Sequence, residues 1–442
     1  MSEPLELRAE LERTPLGAVH VFTIVTLSCA LLFDGYNVFA PAYVIPSAAK
    51  AWLLSPSESG LLVSSGLVGF MIGSLANGPI ADRLGRKPTL LGALLVAALM
   101  NFATAAWGDS YARFLGLRLA TGVGLGMILP ISVTLVNELV PRRHVNTVMG
   151  WVMTGWSLGG VAAALAANAL VSSRGWPALF AVGALAAPLI GVAALALPES
   201  PQLLLARRRP KEARAVMARL APARAQAYAT AELVLREPTG HAGSFARLLS
   251  GGYRRGTLVV WACTGLSLFA IFGLSSWIPD ILLRRGAGMG ASFKLSAVLQ
   301  FAGVLGGIGC GWAADRAGRE RALSVIWLTG AAALAGLALL NVAASNLTFM
   351  VLAGFCVIGA QPVLNNRTAA LYETAIRGTG VGAQLGVGRL GGILGPYLGG
   401  WLQQLFPGSS ALLLCLAATM LCCALCLQLL SSGPALTSYP AR

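Results

Sequence analysis

Charge is scarce in this chain. Only 11% of its 442 residues are Asp, Glu, Lys or Arg, against 56% hydrophobic. Soluble domains carry roughly 25% charged residues, so a water-soluble fold is excluded. Histidine is nearly absent: three occur, His20, His144 and His241, scattered along the sequence. There is no His-Glu-x-x-His, no Walker A loop and no nucleophile elbow, so enzymes and nucleotide-driven pumps are disfavoured. The eight cysteines all fall inside apolar stretches without metal-ligand spacing. They read as small apolar filler, and neither a metal nor a cofactor is expected. Alternating segments of about ten residues, the mark of a transmembrane β-barrel, are missing too.

What is present is a series of long apolar runs. Stretches of about 20 apolar residues read as membrane-spanning helices. Twelve are expected, at 17–46, 57–79, 88–108, 111–139, 145–172, 176–197, 256–284, 291–314, 321–342, 345–372, 378–404 and 409–431. The fold class is therefore an all-α integral membrane protein. Its divisions are a tail at 1–16, a six-helix bundle at 17–197, a central loop at 198–255, a second bundle at 256–431 and a tail at 432–442. The acidic residues Glu3, Glu6, Glu10 and Glu12 before the first run argue against a cleaved signal peptide.

The net charge of +15 has a one-sided distribution. Of 32 Lys and Arg, 23 lie in the tails and even-numbered connections, five in the opposite connections and four in the helices or at their edges. Setting aside the eleven of the central loop still leaves 12 against five. By the positive-inside rule both termini are cytoplasmic. Basic charge here sets topology, and nucleic acid is not an expected partner. Pro210 can open a helix and Pro222 must interrupt one, so the central loop is expected to form two short amphipathic helices serving as a linker.

One pattern occurs twice. Gly78-Pro-Ile-Ala-Asp82-Arg83-Leu-Gly85-Arg86 returns 233 positions later as Gly311-Trp-Ala-Ala-Asp315-Arg316-Ala-Gly318-Arg319. Glu138 and Arg142 return at an offset of 235 as Glu373 and Arg377, and Val44-Ile45-Pro46 is echoed by Trp277-Ile278-Pro279. The chain is a duplication, which suggests two related bundles about a substrate near the midplane. The copies differ at one flank, where Glu320 stands in place of Lys87.

These features resemble the major facilitator superfamily over nearly the whole chain. Arg118-x-x-x-Gly122-x-Gly124-x-Gly126 in the fourth run fits it, as does Pro198-Glu199-Ser200-Pro201 after the sixth, where Gln202 replaces an Arg often found next. The resemblance implies that the repeated turns, with Glu138, Arg142, Glu373 and Arg377, act as a conformational latch. In physical terms a carboxylate such as Asp82 is placed to face a neighbouring helix N-terminus, while Arg83 and Arg86 meet an anionic surface. The plainer role is topology-setting charge.

Three ionisable groups lie deep in the runs: Asp34, Arg118 and Arg389. A charge there costs roughly 2.5–3.5 kcal/mol on the gentlest scale, so each is a functional candidate. A carboxyl in a low dielectric holds its proton more tightly, while a nearby arginine draws it off. An arginine fork binds carboxylates. Asp34 as proton carrier, with Arg118 or Arg389 facing an anion, is the sharp reading; a structural Asp–Arg pair is the plain one.

Asp34-Gly35-Tyr36, with Glu138, Asp315, Arg377 and Arg389, further resembles the aromatic acid/proton symporters, importers of 4-hydroxybenzoate, benzoate, related phenolic acids and nicotinate. By that resemblance Asp34, Arg118, Glu138, Asp315, Arg377 and Arg389 are needed for transport. Tyr36 and Asn37 join the substrate candidates, although Asn37 stands where members carry a second acid. Tyr36, Trp151, Trp156, Phe272 and Tyr397 are placed to sandwich a ring, and Gln361, Asn365, Asn366 and Gln384 to bond a ring hydroxyl. Gly155 with Gly159, and Gly388, Gly391, Gly392, Gly395 and Gly399, are spaced for close helix packing.

The expectation is a proton-coupled importer of a small organic anion, an aromatic carboxylate above all, working by alternating access as a monomer in a bacterial inner membrane. A proton-coupled exporter and a non-transporting membrane sensor are the alternatives.

Overall fold

The computed structural model describes residues 5–235, 245–250, 252–340 and 343–431. His241 and the tail 432–442 lie outside the described residues. Among the described residues eleven helices are long and apolar enough to cross a membrane, from Ala18–Tyr43 to Ser409–Gln428. The run expected at 378–404 forms a helix of 32 residues, Thr374–Leu405. It falls short of the others in apolarity because glycines, Arg377, Gln384 and Arg389 occupy its faces.

Several runs are not single helices, and proline explains the breaks in the first and sixth. The first was expected to continue to residue 46. Instead the helix Ala18–Phe39 gives way to a 3-10 turn at Ala40–Tyr43 holding Pro41, and Ile45–Trp52 starts afresh with Pro46 in its first turn. Proline lacks the N–H that an uninterrupted helix needs. The sixth run divides into Pro177–Ala184 and Ala187–Ala196, the second piece opening with Pro188 in its first turn. In the tenth, a π-helical turn at Gly354–Ile358 separates Ala343–Ala353 from Ala360–Leu371.

The chain clusters into two compact units that cut across the sequence halves. The first comprises 1–38, 68–160 and 177–239; the second comprises 39–67, 161–176 and 240–442. Inside the first unit, Gly155 and Gly159 lie so close to the carbonyls of Ser28 and Leu32 that no Cβ fits. Inside the second, Gly391 meets the carbonyl of Gly265 in the same way, and a Cβ at Gly395 would stand 2.5 Å from the carbonyl of Phe269. The same backbone-on-backbone packing is thus built twice, at corresponding positions of the repeat. Such contacts supply the van der Waals attraction that associates helices where lipid offers no hydrophobic drive.

The second unit also holds the ends of the second and fifth spans that lie away from the repeated turns. Ser64 donates to the carbonyl of Ile393 at 2.7 Å, and Gly60 and Gly400 sit against the carbonyls of Pro396 and Pro56. Trp52 and Trp176 meet edge to face at 5.8 Å.

The central loop is more than a linker. It forms helices Pro201–Ala206, Pro210–Leu220 and Ala225–Thr230, with a 3-10 turn at Pro222–Arg224. Leu5–Glu6 of the tail pairs in parallel with Leu233–Val234, and Leu7, Leu11, Met217, Leu220 and Tyr228 are buried with them. Glu10, only 2% exposed, accepts hydrogen bonds from Tyr228 at 3.0 Å and Arg13 at 3.3 Å, and pairs with Arg224 at 2.7 Å. Burial first, and then the Glu10 bond and charge, push the Tyr228 hydroxyl up to about 12. No sequence motif signals this cluster. The Leu7/Leu11 spacing of one helical turn is the only trace.

Candidate functional site

The helix Ala18–Phe39 carries Asp34, Tyr36 and Asn37, all buried. The fully buried Arg118 reaches them from the helix Tyr111–Leu139. Its Nη2 donates to the main-chain carbonyl of Asn37 at 2.7 Å, and its guanidinium lies over the Phe180 ring, 5.3 Å from the centroid. The Nε and Nη1 atoms of Arg118 meet no hydrogen-bond acceptor among the described residues. Asn37 turns its amide back to the Phe33 carbonyl at 2.8 Å, leaving Oδ1 beside Gly183 and without a donor among the described residues. Tyr36 spends its hydroxyl on the Leu179 carbonyl at 2.8 Å and so clamps two helices together. The first unit therefore brings Asp34, Tyr36, Asn37 and Arg118 into one buried neighbourhood.

Six further polar groups belong to the second unit, on its seventh, tenth and eleventh spans, and of these Thr264, Ser267 and Gln384 are buried. Gln384, fully buried, donates to Thr264 at 2.7 Å and to Asn365 Oδ1 at 3.2 Å. Gln361 donates to the same Asn365 oxygen at 3.0 Å and accepts from Ser267 at 2.9 Å. Arg389 is half-buried on the helix Thr374–Leu405. Trp151 is 67% exposed, which makes it a surface side chain.

The first repeated turn is held by a dense network. Gly85 has φ +116°, a backbone that favours glycine. Arg86 pairs with Asp82 at 2.9 Å and with Glu138 at 3.3 Å. Asp82 does not reach a neighbouring helix N-terminus: its side chain is 68% exposed. That place belongs to Glu199, whose Oε1 accepts from the backbone N–H of Arg86 at 3.0 Å and of Lys87 at 3.4 Å. Arg207 donates to the Asp82 and Leu84 carbonyls, while Arg83 is exposed. Arg142 joins the tail through Glu12, its N–H at 3.1 Å from the carboxylate.

The second turn has the same backbone and a different network. Gly318 has φ +85°. Arg316 stacks on Trp312 with its guanidinium 3.7 Å from the ring centroid. Glu320 receives two N–H groups of Arg367, at 2.7 and 3.0 Å. Glu373 pairs with Arg247 of the central loop at 2.8 Å, and Arg377 donates to the Tyr372 carbonyl at 3.4 Å. Among the described residues Asp315 and Arg319 form no ion pair. Gly78 and Gly311 have open space where a Cβ would stand. Where the first turn has Lys87, bonded to the Ala194 carbonyl, the second has Glu320, paired with Arg367.

Residues 25–396 match the sequence pattern of the Major Facilitator Superfamily. A gallate transporter of Pseudomonas putida is 33% identical over 405 residues, covering 91% of this chain and 90% of that one. A 4-hydroxybenzoate transporter of Pseudomonas aeruginosa is 32% identical over 412 residues, with 91% and 90% covered. Among solved structures, a bacterial homologue of the human lysosomal transporter Spinster, inward-facing and unoccupied, superposes with a TM-score of 0.73 at 16% identity, covering 94% of this chain and 96% of that one. The last likeness speaks for the fold alone.

Proposed function

The chain belongs to the Major Facilitator Superfamily, a family of membrane transporters, and we propose that it imports a small aromatic carboxylate, such as a hydroxybenzoate, together with a proton. The observation that carries this reading is Arg118. It is a fully buried guanidinium with two donor nitrogens, Nε and Nη1, lacking any acceptor among the described residues, in the same unit as the buried Asp34. A charge in that setting is costly enough to need a role in transport. The similarity to relatives named for gallate and 4-hydroxybenzoate supplies the substrate class.

In this mechanism Asp34 carries the proton. Arg118 or Arg389 receives the carboxylate by forked hydrogen bonds. Tyr36, bonded to Leu179, and the Asn37 carbonyl, bonded to Arg118, hold the first helix in place. The halves 17–197 and 256–431 rock about the substrate, and the first repeated turn latches one of the two states through Asp82, Arg86 and Glu138. The contacts of Ser64 with Ile393, and of Gly60 and Gly400 with Pro396 and Pro56, support alternating access. They seal the ends of spans away from the latch and must part to admit substrate from that side. The lopsided basic charge supports cytoplasmic termini and a bacterial inner membrane.

The test is uptake of labelled 4-hydroxybenzoate, gallate, benzoate and nicotinate into cells expressing the chain. Uptake of at least one, abolished by dissipating the pH gradient, is the expected result. Uptake of none, or uptake indifferent to the gradient, contradicts the reading.

A further inference from the structure

The second unit contains a chain of uncharged polar side chains that the mechanism above does not use, three of which the sequence offers as partners of a ring hydroxyl. It runs Ser267, Gln361, Asn365, Gln384, Thr264 across three spans. The hydrogen bonds fix the sense of each group. Thr264 gives its proton to the Val260 carbonyl at 2.7 Å, so its oxygen accepts from Gln384 Nε2. Gln384 Nε2 and Gln361 Nε2 both donate to Asn365 Oδ1. Asn365 therefore has its oxygen turned inward, and its Nδ2 donates to no described group from a half-exposed position.

A ladder that merely fastened helices together would end with its groups satisfied. This one does not, because Gln384 Oε1 is buried without a donor among the described residues. Two amides that meet through one N–H and one oxygen can close a second, reciprocal bond. Here Asn365 Nδ2 and Gln384 Oε1 leave that second bond unmade. Buried polar atoms are nearly always paired, with protein, water or ligand, and an exception calls for a cause. A hydroxyl group answers both vacancies at once, accepting from Nδ2 and donating to Oε1. A carboxylate, an ether or a pyridine nitrogen can only accept, and a bare ring carbon can do neither. Water makes the same bridge, so a ring without a hydroxyl would displace it and leave both amides unmet.

We propose that Asn365 and Gln384 read a ring hydroxyl, so that the transporter selects hydroxylated aromatic acids over their unsubstituted and methoxylated counterparts. Gln361 and Thr264 are the positioning residues that hold the two amides in this sense. The proposal rests on the aromatic-carboxylate reading and adds the donor requirement to it. Sites built to bond a substrate hydroxyl reject the analogue lacking it far more strongly than apolar pockets reject a missing methylene.

The experiment uses the full chain in lipid nanodiscs. Equilibrium binding is measured for benzoate, the three monohydroxybenzoates and their methoxy counterparts. At least one hydroxybenzoate is expected to bind about tenfold or more tightly than both its methoxy partner and benzoate. Gln384→Met should reduce that preference below about threefold, since the variant keeps volume and loses the acceptor. If Gln384→Met does not elute as folded protein, Asn365→Ala, truncated at a half-exposed position, decides by the same threshold. A wild-type preference under about tenfold, or one that survives the deciding variant above about threefold, overturns the proposal. Binding of the acids without this preference defeats the hydroxyl reading alone. Binding of none defeats the aromatic-carboxylate reading, and the hydroxyl reading with it.

Discussion

Arg118 donates its Nη2 to the main-chain carbonyl of Asn37 across 2.7 Å. That carbonyl lies one turn before Pro41, the residue that ends the regular helix. Pro41 has no N–H to offer it, so the arginine takes the place of the missing helix bond. The cation is thereby tied to backbone at a helix break, and the Asn37 side chain stays neutral beside it. A carboxylate at position 37 would change both the charge and the titration of this neighbourhood.

The first prediction concerns voltage. One proton entering with one monocarboxylate moves no net charge, so uptake by the wild type should hardly respond to membrane potential. Asn37→Asp adds a second titratable group. If a second proton is carried, each turnover gains roughly 2.3 kcal/mol per 100 mV. Uptake is measured at a fixed pH gradient with and without valinomycin. A large valinomycin effect on the wild type contradicts the prediction, as does none on an active Asn37→Asp protein.

The second concerns the duplicated packing. Gly155→Leu and Gly391→Leu each force a side chain into a backbone carbonyl, of Ser28 and of Gly265. Overpacking of this kind costs about 1–3 kcal/mol or more. Both variants should lower the melting temperature of the purified protein. Gly78→Ala, where a Cβ meets open space, should leave it nearly unchanged. Equal melting temperatures for all three would show that the contacts are not close.

The third concerns Glu199. Its carboxylate caps the helix Arg86–Trp107 through two backbone N–H groups. Loss of such a cap costs about 0.5–2 kcal/mol. Glu199→Ala should therefore lower thermal stability and loosen the first turn, seen as faster hydrogen exchange at residues 85–90. Unchanged exchange there would remove Glu199 from the latch.

The repeat, the apolar runs and the glycine seams were legible in the sequence because each is a periodic or spaced pattern. Gly155/Gly159 and Gly391/Gly395 follow helical spacing, and both pairs pack as that spacing implies. Asp34 and Arg118 were legible because charge in an apolar run is conspicuous. The partners were not. Arg118 bonds a main-chain carbonyl, which leaves no mark in a sequence. Glu199 rather than Asp82 takes the helix N-terminus because the chain folds back after the sixth run, a tertiary event. The docking of Glu10 on Arg224 and Tyr228 joins positions more than two hundred residues apart. Arg142 and Glu373, alike in pattern with their counterparts, take other partners because the tail and central loop supply Glu12 and Arg247.

The central claim is that Asp34 couples proton movement to transport. Its most direct test reconstitutes the wild type and Asp34→Asn in proteoliposomes and follows labelled aromatic acid under two conditions. One is an imposed inward proton gradient; the other is counterflow with no gradient. Asp34→Asn is predicted to lose gradient-driven accumulation yet retain substrate exchange in counterflow, since the arginine that receives the carboxylate is untouched. Accumulation by Asp34→Asn at the wild-type level would contradict it.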